Sequence, residues 1–328
     1  MKTINEIING KTAITPETSI KLEQALNIPA SFWNNLEANY QVSKARKTFN
    51  EIINKELKEA RSFPLRRMIE YKWIESPSSG ESLVSVVQKF FGVTSLANII
   101  ERQVLTSSVL YRMSKKGATS KYSLMAWLRK GVIDSQNIQT NEYNEEGLES
   151  DLNRIKSLSR KDITIASQEL VSALATHGVA LVFTKPLPGV PISGASRWLT
   201  SSKAIIQVGI RNKFHDIFWF NIFHEIGHIL LHSKKGYNID LENSNNGGSS
   251  SENEADTFAA DCLIPPQQYA RLISDYKKEP NSTRHKVIEY YSENLEVHPG
   301  IVEGRLMHDK VISSFSVGRY RRRLDWVS

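Results

Sequence analysis

A single cysteine, Cys262, leaves the chain unable to close an internal disulfide and excludes a zinc site built on thiolates. That scarcity fits a reducing compartment. No apolar run approaches the roughly 18 residues that a bilayer-spanning helix requires. The first residues, MKTINEIINGKTAITPETS, lack the apolar core of a secretory leader. There is no internal repeat, and no strong bias of charge. Lys and Arg number 42 against 35 Asp and Glu, a formal net charge of +7 in 328 residues. That balance permits a nucleic-acid partner without requiring one. Together these absences lead to the expectation of a cytoplasmic protein with no membrane partner. What is present, 40% hydrophobic residues, suffices for two or three packed domains.

The N-terminal third reads as helices. NEIING stops at Gly10; TPETSIKLEQAL opens with Thr15 as cap and Pro16 in the first turn, and places Leu22, Ala25 and Leu26 at helical spacing. IPASFWNNLEANY predicts a further helix capped by Ser31. From 44 to about 130 the pattern stays helical, clearest in FPLRRMIEYKWI and SLVSVVQKFFGV, with SPSSGES (76–82) as a loop. The aromatic residues here, and those of MAWLRKG (125–131), read as core. SQNIQTNEYNEEG (135–147) has little to bury and reads as a linker. Then the texture changes. ITIASQELVSALATHG predicts a helix closed by Gly178; VALVFT, SRWL and AIIQVG predict about three short strands; SENEADTFAADCLIPP predicts a helix ending at Pro265. One or two helices fill the last sixty residues, and GRYRRRLDW reads as a solvated basic patch.

Within this pattern, FNIFHEIGHILLH (220–232) buries four polar groups in an apolar segment, which is costly unless they serve one another. His224 and His228 are four apart on a helix, so both imidazoles leave one face about a turn apart and suit one tetrahedral Zn2+. Glu225 beside them is placed to act as general base on a metal-bound water. His232 is not a ligand by this reading: it lies about 12 Å along the axis from His224, because nothing breaks the helix first. It is expected as a helix-end residue supporting a ligand. The third ligand is sought in SENEAD. Glu252 and Asp256, four apart, suit a carboxylate ligand followed by a carboxylate that orients a histidine. Ser251 and Glu254 have capping-box spacing, as do Ser249 and Glu252; only one box can operate, and giving the cap to Ser251 and Glu254 leaves Glu252 rather than Glu254 as the ligand.

HEIGHILLH, a variable loop and ENEADTFAADCLIP in that order resemble the ImmA/IrrE family of metallopeptidase domains, as do ISGASRWL and AIIQVG upstream. Leu263-Ile264-Pro265 stands where the family usually has Leu-Met-Pro. The resemblance covers roughly residues 150–275. It implies a zincin-like α+β domain with a small sheet and a zinc-dependent endopeptidase with ligands His224, His228 and Glu252 and base Glu225. It also implies a repressor or antitoxin as substrate, in a mobile-element, toxin-antitoxin or stress-response system. INEIINGKTAITPETSIKLEQALNIPASFWNNLEANY resembles the second half of a HigA-type (XRE-like) helix-turn-helix, with TINEIINGK as recognition helix. The given sequence begins inside that recognition helix; either its start is truncated or the segment serves in packing or dimerisation, and the expectation is that DNA is a doubtful partner. Lys2 and Lys11 read as solvated charge.

The expected layout is a partial helix-turn-helix over 1–43, a helical middle region and linker over 44–150, the peptidase domain over 151–275 and a helical, basic tail over 276–328. A homodimer is compatible with it. A peptide substrate is expected to add as a strand along AIIQVG, with Tyr237 or His232 as candidate oxyanion donors. Two rival readings remain: a DNA-binding regulator or antitoxin with a structural or vestigial metal site, and an interaction module that senses zinc or a partner without cutting.

Overall fold

Thr15 and Pro16 open a helix as predicted. In the computed structural model, which describes residues 2–97, 99, 120–190, 192–209, 214–232, 237–241, 250–313 and 318–324, the Thr15 hydroxyl accepts the Thr18 N–H at 3.3 Å. Helix α1 (Lys2–Ile8) ends before Gly10, whose φ of +65° lets the chain turn. Helix α2 (Pro16–Leu26) ends at Asn27 in the left-handed region. The next helix, α3, differs from expectation. It starts at Ala30 behind Pro29, with no side-chain cap from Ser31, and runs unbroken to Ala60. Ser19 donates to Asn34 at 2.6 Å and ties α2 to α3. The predicted apolar face of α2 is weak: Leu26 is exposed, as are Ile8, Phe32, Leu36 and Tyr40.

Two units divide the chain, Met1–Ser62 with Ser76–Asn98, and Phe63–Glu75 with Ile99–Ser328. The first also holds α5 (Gly80–Phe91), capped by Ser79 and closed by Gly92 at φ +67°. SPSSGES is therefore loop only as far as Ser79. Buried Glu56 of α3 accepts the backbone N–H of Leu96 at 2.8 Å and holds the segment after α5. FPLRRMIEYKWI forms only the short α4 (Leu65–Glu70), which belongs to the second unit; the chain turns at Lys72, φ 57°.

The second unit is α+β, the class expected. Helices α6 (Lys121–Ser135), α7 (Glu145–Ser157) and α8 (Ile163–Thr176) precede β1 (Val179–Thr184), β2 (Ile192–Trp198) and β3 (Ala204–Gly209). Then follow α9 (His215–Leu231), β4 (Tyr237–Leu241), α10 (Ser250–Leu263), α11 (Pro266–Lys278), α12 (Arg284–Asn294) and α13 (Pro299–His308). The sheet has four strands rather than three, in the order β1-β3-β2-β4, with β1 and β3 parallel and the other pairs antiparallel. AIIQVG is β3 and is paired on both sides, so it offers no edge for an added strand. Its residues alternate as a buried strand should. Ala204, Ile206 and Val208 join Val179 and Leu181 in the core shared with α8 and α9. Gln207 points to the opposite face, where its amide donates to the Trp127 carbonyl of α6 at 2.7 Å, and Arg197 of β2 donates to that of Leu128 at 2.7 Å.

Two expectations about loose segments fail for the same reason, buried backbone partners. Residues 136–144 are not a free linker: Asn141 N–H donates to Ala175 and Tyr143 N–H to Ser202, pinning the segment beside β1. Gly178 at φ +79° allows this; a Cβ there would stand 2.4 Å from the Tyr143 Cα. The basic C-terminal run is docked as well. Buried Glu303 accepts the N–H groups of Arg319 and Tyr320, the His215 N–H donates to the Arg322 carbonyl, and Arg321 pairs with Asp216 at 3.2 Å over the Phe214 ring. Helices α11, α12 and α13 share their core with α9 through Leu272, Ile288 and Ile301. Among the described residues no helix is long and apolar enough to cross a membrane.

The start of α9 rests on two buried histidines. The His215 and His298 rings are 4.5 Å apart; His215 Nε2 accepts from the Trp219 indole, and His298 Nδ1 accepts the Gly300 N–H. Burial, then His298 and Arg322, pushes His215 down to about 3; burial, then Arg322, pushes His298 down to about 4. Unfolded, both take a proton near 6.5. The folded state therefore binds fewer protons between those limits, and stability is complete above about 6.5 and falls as pH drops. His298→Gln is expected to remove about 2 kcal/mol of the stability loss between pH 7 and pH 5, read from urea midpoints at the two pH values. An unchanged pH dependence would refute this account.

Candidate metal centre

Helix α9 is apolar on nearly every side because it crosses the middle of the unit, with Phe218, Trp219, Ile222, Phe223 and Ile226 all buried. Its polar groups are buried with it: His224, Glu225 and His228 are nearly or wholly inaccessible. Buried groups of this kind persist when they satisfy each other. Here the partners come from α10. Gly227 lets the two helices close; a Cβ there would lie 2.9 Å from the Phe258 ring and 3.4 Å from the Ala255 Cα. The close approach brings Glu252, in the first turn of α10, to the two histidines.

The His224 and His228 Nε2 atoms are 3.0 Å apart; Glu252 Oε2 lies 3.5 Å from the first and Oε1 3.7 Å from the second. One donor atom from each residue falls within 4.8 Å of the others. Bonds of about 2.0–2.1 Å in a tetrahedral site imply donors about 3.3–3.4 Å apart, and the three separations bracket that value. The donor set, two imidazoles and a carboxylate, suits a zinc-like ion and leaves one of four positions open. Burial, against the pull of Glu252, pushes the His228 imidazole below its usual range and keeps it neutral. Burial opposes ionisation of Glu252, yet the two imidazoles that face it, His224 and His228, outweigh burial and bring the carboxyl down to about 2. Both groups thus hold the protonation state that a metal requires.

The far sides of the histidines are also fixed. Asp256 Oδ1 lies 2.9 Å from His224 Nδ1; a carboxylate accepts, so Nδ1 carries the proton and Nε2 presents its lone pair to the site. For His228 the chain is longer. His232 Nε2 donates to Glu254 Oε2 at 3.2 Å, which leaves the Nδ1 of a neutral His232 as acceptor for the His228 Nδ1–H at 2.9 Å. Glu254 in turn takes the Ser250 hydroxyl at 2.6 Å. His232 therefore sits behind His228, turned away from the Nε2 atoms, and not where an oxyanion would form. The helix begins at Ser250, so Ser251 lies inside the first turn rather than at the cap, and the capping-box assignment fails. The Tyr237 side chain lies outside the described residues.

Glu225 faces the sheet, and β2 makes room for it. At Gly194 a Cβ would stand 2.3 Å from Glu225 Oε1. The β2–β4 pairing is irregular between Ile192 and Ala195, around this glycine. The sequence gives Gly194 and Gly227 no role, and it assigns Glu254 to a helix cap rather than to His232. A glycine inside a strand pattern is a recognisable sign of close approach, whereas Glu254 carries no local sign of its role.

Gly194→Ala is expected to displace the Glu225 carboxylate by about 1 Å and to slow any water-activating chemistry there about a hundredfold. Metal uptake by His224, His228 and Glu252 should stay at the wild-type level. Loss of metal binding in that variant, or unaltered chemistry, would contradict the geometry.

Comparison with known families agrees with this layout. Residues 191–303 match the family model described as IrrE N-terminal-like domain, of the Peptidase_M78 type, and residues 2–33 match that described as Helix-turn-helix. No curated protein matches the chain. The first match spans β2 to the middle of α13 and so includes every donor of the metal centre together with the helices that close its core. Residues 191–303 are thus similar to the IrrE N-terminal-like domain of the ImmA/IrrE type, and residues 2–33, earlier in the sequence, to a helix-turn-helix.

Proposed function

We propose that the chain is a zinc-dependent endopeptidase in which His224, His228 and Glu252 hold the ion and Glu225 is the general base. The observation that carries this reading is the convergence of three donors from two helices, within 4.8 Å, beside a buried carboxylate. Zinc, when bound, supplies a Lewis acid and acidifies the water it holds. Glu225 would take the proton of the attacking water and pass it to the leaving amine. Asp256 and the His232–Glu254 pair hold the two imidazoles in the required tautomer and orientation. Buried apolar neighbours keep the site dry, which strengthens each of these interactions.

With β3 paired on both sides, the edge nearest Glu225 is β4, the partner of the strand that carries Gly194. The substrate peptide adds there as a strand. The substrate is a repressor or antitoxin protein, as the family resemblance suggests; the helix-turn-helix match supports recruitment to a regulated DNA site. The protein acts in the cytoplasm.

Metal analysis by mass spectrometry is expected to find about one zinc per chain in the wild type and none in Glu252→Ala. Asp256→Asn is expected to loosen the ion by about 10–100-fold. Glu225→Gln should keep its zinc and lose peptide cleavage by about 10²–10⁴-fold. A wild type that neither contains nor takes up zinc, or a Glu225→Gln variant that still cleaves, sinks the proposal.

The helix-turn-helix match favours a second reading, in which the chain binds DNA as a regulator. Selection from a pool of random duplexes is then expected to enrich a motif. Its affinity should fall with salt and be indifferent to Glu225→Gln. Neutralising Lys2 and Lys11 should lower the salt slope by about 2. Without an enriched motif, DNA leaves the account.

A further inference from the structure

Every polar side chain of α9 but one is accounted for. His215 accepts the Trp219 indole N–H, and Asp216 pairs with Arg321. His224 and His228 are held by Asp256 and His232, and Glu225 stands against Gly194. The exception is Asn221. It is only 8% exposed, yet its side-chain amide has no hydrogen-bond partner among the described residues. Unlike the sealed orphan groups of the interior, such as the Ser196 hydroxyl, that amide still reaches solvent. Asparagine is a poor residue for a helix interior, and an unpartnered amide in so buried a place costs stability. Its presence calls for an explanation other than the fold.

Helical phase relates Asn221 to the metal centre. At about 100° per residue, it projects about 60° from His224 on one side and about 40° from Glu225 on the other, and within about 20° of His228. It therefore heads the stripe of α9 that carries two metal donors and the base, one turn before them. Residual exposure marks the side from which the centre is entered. His224 keeps 4% of its surface and Glu252 9%, whereas Glu225 and His228 keep none. The way in lies on the His224 side, toward the N-terminal half of α9, and Asn221 stands beside it.

We propose that Asn221 is a substrate-binding residue whose amide holds the main chain of the substrate beside the bond to be cleaved. The inference rests on the zinc peptidase reading, because it takes the metal as the place of cleavage. A primary amide presents an acceptor oxygen and a donor nitrogen side by side, which complements the N–H and C=O of a peptide. One helical turn is about 5.4 Å and an extended peptide advances about 3.3–3.6 Å per residue. The peptide group that Asn221 meets is therefore the one next to the cleaved bond, or one beyond it. Such a contact ignores substrate side chains: it aligns the main chain at the metal and leaves sequence preference to other contacts.

The test uses the zinc-loaded full chain and three hydroxamates, whose common group chelates the metal. Acetohydroxamate carries no peptide group. N-acetylglycine hydroxamate places one on the N-terminal side of the metal; its isomer, the hydroxamate of N-methylmalonamic acid, places one on the C-terminal side. Isothermal titration of the wild type is expected to show one isomer binding at least about fivefold more tightly than acetohydroxamate. In Asn221→Leu that gain should fall below about twofold. Zinc content and acetohydroxamate affinity should stay at the wild-type level, and the urea midpoint should be equal or higher, which a structural role for the amide does not allow. Asn221→Ala should lose the gain as well, and provides the reading if the leucine variant does not fold. No gain from either isomer in the wild type, or a gain that survives substitution, overturns the role of Asn221 and leaves the peptidase reading standing. So does a variant that folds but loses zinc or acetohydroxamate, since the amide then supports the centre rather than the substrate. A wild type that takes up no zinc, or binds no acetohydroxamate when loaded, overturns the peptidase reading and this role with it.

Discussion

The close packing of α9 on α10 is the constraint from which the rest of the second unit follows. Besides His215 at its start, three ionisable side chains of α9 (His224, Glu225 and His228) are buried in an apolar helix, a placement that costs several kcal/mol for each isolated group. It is tolerated because Glu252 and Asp256 arrive from α10 to face the two imidazoles. Gly227 permits that approach, since a side chain at this position would meet Phe258 and the α10 backbone. Pull the helices apart by the width of a methyl group, and the carboxylate no longer reaches both histidines. The same packing keeps the site dry: it lies at the seam between two helices, with the sheet behind Glu225.

Around this seam the protein uses its remaining elements as supports. The sheet presents Gly194 where the Glu225 carboxylate needs space, and the β2–β4 pairing shifts register around that glycine. Helices α11 to α13 complete the core around α9, and the C-terminal run returns to the first turn of that helix. There Arg321 meets Asp216, and Glu303 holds the backbone of Arg319 and Tyr320. A run of arginines that looks like a solvated tail is thus a clasp on the start of the metal-bearing helix. Beside an apolar cavity, Arg321 also pairs with the half-buried Asp216.

Much of the centre was legible in the residues themselves. The spacing of His224 and His228 predicts one face of one helix, and helical rise alone removes His232 from the ligand set. The spacing of Glu252 and Asp256 predicts one face of a second helix. Glu252 rather than Glu254 is the carboxylate that faces the histidines, as the sequence favours, though for a reason the sequence misreads. Glu254 is engaged by Ser250 and His232, not by a cap at Ser251. The error arose because an N-cap depends on where the helix begins, and local pattern places that boundary only to within a residue or two.

What the sequence by itself determined is therefore periodic and local. It set the helical faces, the strand-forming runs, the glycine stops and the chemical identity of the donors, because each depends on residues within a turn or two. Which strand is an edge, which loop is pinned and which carboxylate meets which imidazole were decided only by tertiary structure. AIIQVG has the composition of any buried strand, and nothing within it reveals that both its sides are taken by β1 and β2. Residues 136–144 look unable to bury anything, yet the backbone beside β1 supplies them with hydrogen-bond partners. Such outcomes depend on contacts between segments far apart in the chain, and on the need of every buried polar group for a partner, which no single segment can express.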